Sequence, residues 1–150
     1  MSVYIDTGIL VKSYVFEKDS PEAIVIIEAA GDSLISSHVH EIEIPNAIRL
    51  KRFRGEITKA EEAAAIRVFR SDIDAGRLAR PEYDLAEVFI QAERLSAKYS
   101  GEIGSRSLDV LHVAAALKCG CSSMASFDKR QRKVAVLAGL KVIPAKGKKS

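Results

Sequence analysis

The chain has 150 residues, 47% of them apolar and 29% charged, with a formal net charge of +3. That length makes one domain with a sizeable core, and no apolar run approaches the roughly 18 residues of a membrane span. The chain enters its first strand at once, which leaves no room for a secretory signal. Cys119 and Cys121 are spaced too closely for an easy disulfide and lack partners for a zinc site, so a cytoplasmic protein with reduced thiols is expected.

Val3-Tyr4-Ile5 is a short β-prone run that ends on Asp6 and Thr7, and a helical pattern (Ile9, Leu10, Val11, Tyr14, Val15) follows to about residue 16. Ser20-Pro21 reads as an N-cap with proline in the first turn, opening a helix that Gly31 closes. A second strand is expected over 33–36 and a helix over 40–54, with Pro45 either delaying its start to Ile44 or kinking it. Thr58 and Glu61 form a capping box for a helix to about residue 75, which Gly76 stops. Residues 78–80 read as an edge strand or a loop. Asp84 caps a helix to Tyr99, and Gly101 and Gly104 mark the loop after it. Ser107 opens the helix over 108–118; a strand over 123–126, a short helix to about 138 and a last strand over 141–143 complete the pattern. Strands alternating with helices predict an α/β fold of three layers, a central parallel sheet of four or five strands flanked by helices. The domain is expected over 1–144, and the basic tail 145–150 is expected to be disordered.

Four acids fall where such a fold brings chain segments together. Asp6 ends the first strand, Glu43 begins the helix after the second, Asp109 lies in the first turn of the Ser107 helix, and Asp128 ends the strand over 123–126. Strand C-termini and the N-termini of the helices after them share one rim of a parallel sheet, where ligands bind. Clustered carboxylates repel unless a cation neutralises them. Mg²⁺ or Mn²⁺ suits an all-oxygen site, where it bridges phosphate oxygens and activates water. Taken singly, each acid has an ordinary explanation: Asp6 and Asp128 as helix caps, Glu43 and Asp109 as first-turn acids favoured by the helix dipole. Glu41 competes with Glu43.

Basic residues cluster at 49–54, 129–133 and 146–149, which suits a polyanion or an ordinary solvated face. Arg106 either contacts phosphate or pairs with an acid. Lys129, Arg130 and Arg132 follow Asp128 and are candidates to guide a phosphate backbone. His112 reads as a packed, hydrogen-bonded ring more readily than as a general base, and His38 and His40 as polar groups at a helix start. The rings of Phe69, Phe89 and Tyr99 are expected in the core.

The segments Tyr4-Ile5-Asp6-Thr7, Ile35-Ser36-Ser37 leading to Glu43-Ile44-Pro45-Asn46-Ala47-Ile48, Leu108-Asp109-Val110-Leu111-His112-Val113-Ala114-Ala115-Ala116, Ser126-Phe127-Asp128-Lys129-Arg130-Gln131 and Ala138-Gly139-Leu140-Lys141-Val142 occur in this order. Together they resemble the PIN-domain family, and within it the VapC-like ribonuclease toxins of toxin–antitoxin pairs. The resemblance implies a metal-dependent endoribonuclease whose acidic quartet, here Asp6, Glu43, Asp109 and Asp128, binds Mg²⁺ or Mn²⁺ and leaves 5′-phosphate and 3′-hydroxyl ends. It favours Glu43 over Glu41 through the family's Glu-x-x-x-Ala pattern, which ends here at Ala47. It gives Thr7, or Ser126, the supporting hydroxyl near the acids. It also implies a small antitoxin as partner and a homodimer, through the helices over 17–30 and 60–75. Gly8 stands where serine is frequent, and Pro45 is unusual. Two other readings compete. A PIN fold that binds RNA or a partner without cutting is one. An aspartyl-phosphate phosphotransferase with Asp6 as nucleophile is the other, disfavoured because Gly8 occupies the place of its second acid.

Overall fold

The computed structural model describes residues 2–147. Five short strands, β1 (Val3–Ile5), β2 (Leu34–Ile35), β3 (Leu78–Ala79), β4 (Ser123–Ala125) and β5 (Lys141–Ile143), form one parallel sheet in the order β3-β2-β1-β4-β5. Tyr4 pairs with Ile35 on one side and Met124 on the other. The strand after β1 therefore lies to one side of it and β4 to the other, so the C-terminal end of β1 is a topological switch point, the place where a crevice opens in such sheets.

Helices α1 (Thr7–Leu10), α2 (Ser20–Ala29), α3 (His38–Phe53), α4 (Lys59–Asp74), α5 (Leu85–Leu95), α6 (Gly101–Ile103), α7 (Ser107–Lys118) and α8 (Lys129–Leu137) connect the strands. Side chains alternate across a strand. Tyr4 and Met124 thus join Val88, Val113 and Val134 of α5, α7 and α8 in one buried layer. Ile5 and Ala125 join Ile9, Ala23, Ile44, Ile48 and Phe69 of α1 to α4 in the other. The α/β fold of three layers with a parallel sheet is the one expected, and residues 78–79 take the strand alternative at the sheet edge.

Several expectations need correction. The first helix does not reach residue 16: α1 tightens into a 3₁₀ turn at Val11–Ser13, where Ser13 Oγ turns back to donate to Leu10 O. Ser20 is not the N-cap of α2, whose cap position is Asp19; buried Ser20 Oγ instead accepts from Glu17 N at 2.7 Å and donates to Lys12 O at 2.8 Å, tying the loop to the end of the first helix. The helix α3 starts earlier than either alternative allowed, at His38, because Ser37 caps it and His40 Nδ1 accepts from Ser37 N at 3.1 Å. It runs unbroken across Pro45. Glycine 101 does not open a loop: α5 continues through a π-helical turn, Ser96–Ser100, into α6, and the reversal comes at Gly104 with φ 78°. The Thr58–Glu61 capping box is present in both directions. Phe69 is buried as expected, whereas Phe89 is 57% exposed on the outer face of α5. Burial pushes the free thiols of Cys119 and Cys121 up to about 11 and about 12. Of the tail expected over 145–150, residues 148–150 lie outside the described residues, and 145–147 form no regular element.

Candidate active site

The switch-point crevice is a cleft of about 560 Å³ whose lining includes Asp6, Glu43, Asp109 and Asp128. Four different elements deliver these acids. Asp6 leaves β1 and caps α1, with Oδ2 accepting from Gly8 N at 3.2 Å. Glu43 projects from the second turn of α3, and Asp109 from the first turn of α7, where Oδ2 accepts from Arg106 N at 3.0 Å. Asp128 follows β4 and caps α8, with Oδ1 accepting from Gln131 N at 2.8 Å. In Asp6, Asp109 and Asp128 the backbone amide occupies one carboxylate oxygen. Glu41 is turned away to Arg80, 2.7 Å from its Nη1.

Asp6, Glu43 and His112 form the tightest group, each offering an atom within 4.8 Å of the others. His112 Nε2 lies 2.6 Å from Glu43 Oε1 and 3.8 Å from Asp6 Oδ1. Thr7, placed by the start of α1, holds its Oγ1 3.2 Å from the same nitrogen. Burial pushes the Asp6 carboxyl above its usual range; the His112 ring pulls it back in part and the Glu43 charge adds to the rise. Burial acts upward on Glu43 as well, but the hydrogen bond from His112, with smaller help from Thr7 and Arg106, outweighs it and holds that carboxyl below its usual range. The two neighbouring acids are thus unequally compensated. A half-buried carboxylate whose ionisation burial opposes, beside three more hard-oxygen donors lining one cleft, is a donor set that suits a divalent cation.

Gln131 ties the far wall of the cleft together, and no functional role was read for it in the sequence. It is fully buried. Its Oε1 accepts from Ser126 Oγ at 2.6 Å, and its Nε2 donates toward Asp109 O at 3.4 Å and toward the Asp6 carboxylate. Ser126 Oγ in turn accepts from Asp128 N at 3.1 Å. The signal for Gln131 was its register: it sits one turn before Val134 and Ala135, on the buried face of α8, where an amide needs partners. Lys12 and Asn46 also line the cleft, and neither was singled out by the sequence.

The basic candidates divide. Arg106 lines the cleft with its side chain 80% exposed and its Nε 3.8 Å from Asp109 Oδ2. Lys129 and Arg130 are exposed on the first turn of α8, outside that lining. Arg132 is buried, and its guanidinium donates to Ser126 O and Pro144 O at 3.0 and 2.6 Å, which fastens β4 to the end of β5. His40, expected at a polar helix start, is fully buried and donates from Nε2 to Ile5 O at 2.7 Å. Gly8 leaves room at the mouth. A Cβ there would lie 3.0 Å from Asp6 Oδ2, so a serine would press on the carboxylate.

A protein-family model described as PIN domain matches residues 3–137. A search of curated proteins returns no match to the chain.

Proposed function

Since the chain belongs to the PIN-domain family, whose members are in general metal-dependent nucleases, we propose that it is a VapC-like endoribonuclease that hydrolyses RNA phosphodiester bonds at the cleft between β1, α3, α7 and α8. The observation that carries this reading is the convergence of Asp6, Glu43, Asp109 and Asp128, from four elements, on one cleft. In it Asp6, Glu43 and Asp109 would hold a Mg²⁺ or Mn²⁺ ion, and Asp128 would hold a second ion or orient a water. A divalent ion held there supplies positive charge to the phosphate and lowers the pKa of a bound water. The rest is the work of the protein. Thr7 and His112 hold Glu43, and Gln131 keeps Asp6, Asp109 and Asp128 in one arrangement. Arg106, exposed at the mouth, is the charge that would position the strand through its phosphates without reading its sequence. Residues 1–144 form the catalytic domain, followed by the basic tail.

The partners in this reading are a small antitoxin that covers the acids and a second copy of the chain. A groove of about 610 Å³ between α2 and α4, lined by Tyr14, Ile27, Val68 and Leu78, supports docking along these helices, as do the exposed Ile24 and Val25. The location that suits such a pair is the cytoplasm, and no helix among the described residues is long and apolar enough to cross a membrane.

The test is cleavage of total cellular RNA by the purified chain in Mn²⁺, in Mg²⁺ and in chelator, with Asp6→Asn as control. Discrete metal-dependent cuts that vanish in Asp6→Asn are the expected result. Metal binding and RNA binding without any cutting would replace the enzyme with a binding module.

A further inference from the structure

Behind the acids, four side chains form a single line of hydrogen bonds. Ser37 Oγ lies 2.7 Å from Tyr4 Oη, Tyr4 Oη lies 2.7 Å from His112 Nδ1, and His112 Nε2 lies 2.6 Å from Glu43 Oε1. Ser37, Tyr4 and His112 are at most 1% exposed, so the partners must come from the protein. Each hydroxyl brings one proton and a neutral imidazole brings one, while an ionised carboxylate only accepts.

Those counts fix the direction of the line. Glu43 is an acceptor, so Nε2 carries the ring proton. Nδ1 is then a lone pair and accepts from the Tyr4 phenol. The phenol oxygen is left to accept from Ser37, whose Oγ already faces a donor, the His40 backbone amide of the capping box. Every proton has an acceptor. In the opposite direction the Nε2 lone pair would face a carboxylate oxygen at 2.6 Å. Tyr4 would then donate to Ser37, whose own proton would have no acceptor among the described residues. A doubly protonated ring meets that second obstacle too. His40 stacks on the Tyr4 ring with centroids 4.7 Å apart and so packs the phenol from one face.

We propose that Tyr4 and Ser37 lock His112 in the tautomer with its proton on Nε2, making His112 a positioning residue that holds Glu43 and withholds its own nitrogen from the cation. A histidine beside two carboxylates would otherwise complete a mixed nitrogen and oxygen site, which suits Zn²⁺, Co²⁺ or Ni²⁺. With Nε2 protonated, the site offers oxygen donors alone and favours Mg²⁺ and Mn²⁺. The metal preference rests on the proposed nuclease reading; the tautomer does not.

The test is a long-range proton–nitrogen correlation spectrum of the full chain labelled with ¹⁵N-histidine, without metal and with saturating Mg²⁺, the His112 signals being assigned by their loss in His112→Gln. The expected result is a protonated Nε2 and an unprotonated Nδ1 in both conditions. A proton on Nδ1, or on both nitrogens, would overturn the lock. The second arm compares wild type with Tyr4→Phe, which removes one hydroxyl and no carboxylate. The ratio of Zn²⁺ to Mn²⁺ affinity, from chelator competition and Mn²⁺ electron paramagnetic resonance, should rise by roughly tenfold, the scale of a lost outer-shell partner. An unchanged ratio would overturn the selectivity. No RNA is present in either arm, so a chain that cuts nothing still answers both questions, and failure of the nuclease reading shows only in the cleavage assay.

Discussion

The two walls of the cleft are built differently. On the wall of β1 and α3, Asp6 and Glu43 are backed by Tyr4, Ser37, His112 and Thr7, side chains that meet across as many as 108 positions of sequence. On the wall of α7 and α8, Asp109 and Asp128 are held mainly by the first turns of their own helices, through amides only three positions away. The first wall depends on the whole fold, and the second is nearly local. Capping, the ordinary explanation weighed for Asp6 and Asp128, does not compete with the proposed metal binding: the cap engages one carboxylate oxygen and orients the carboxylate toward the cleft.

The largest expected effect separates the walls by charge. Asp6→Asn keeps a residue that caps well and removes a ligand, so cleavage should fall on the order of 10²–10³-fold, the scale of a lost charge-stabilising group. Stability should move the other way. The folded-state pKa of Asp6 is raised, so its ionised form opposes folding, and the metal-free protein loses stability as pH rises through that pKa. Melting of metal-free Asp6→Asn at neutral pH should therefore be no lower than that of wild type, and a clear drop would show that Asp6 is structural.

Gln131→Leu cuts the link between the walls. It leaves the Ser126 hydroxyl and the Asp109 carbonyl short of a partner, at a cost of about 1–3 kcal/mol in chemical denaturation. Cation affinity should fall by about 10–100-fold, as for other outer-shell partners. Loss of stability with no change in cation affinity would break the link to the site.

A smaller effect reports on the long-range wall alone. Burial holds the His40 pKa well below 6.5, with the Ile5 carbonyl opposing. The unfolded chain takes up a proton near 6.5 and the folded chain does not, so stability is full above that pH and declines as pH falls through it. His40→Gln, which can accept from Ser37 N and donate to Ile5 O, should flatten that decline in melts followed against pH. The smallest effect is at the mouth. Gly8→Ser puts a Cβ 3.0 Å from Asp6 Oδ2, and a shift of a few tenths of an ångström there should change activity by only several-fold.

The same contrast explains what the sequence disclosed. Three of the acids stand at element boundaries, which leave local marks: Asp6 after Val3-Tyr4-Ile5, Asp109 in the first turn of α7 and Asp128 after β4, whereas Glu43, in the second turn of α3, was preferred to Glu41 only through the family pattern. The strand and helix alternation was legible for the same reason. The residues that organise the acids were not. Tyr4 is an apolar strand residue by pattern, and its hydroxyl matters only because His112 and Ser37 meet it in space. Gln131 and the committed guanidinium of Arg132 were hidden likewise, since no spacing rule places α8 against the ends of β4 and β5. Pro45 misled because the capping of α3 was set upstream, by Ser37 and His40.

The most direct test of the central claim is a Mn²⁺ titration of the full chain, followed by electron paramagnetic resonance, in wild type, Asp6→Asn, Glu43→Gln, Asp109→Asn, Asp128→Asn and Glu41→Gln. Acids from both walls that share one cation site should each weaken binding when neutralised, with Asp128→Asn the mildest, while Glu41→Gln, turned away to Arg80, should bind as wild type does. Binding that Glu41→Gln weakens, or that Asp6→Asn, Glu43→Gln and Asp109→Asn leave intact, would contradict a metal centre in this cleft.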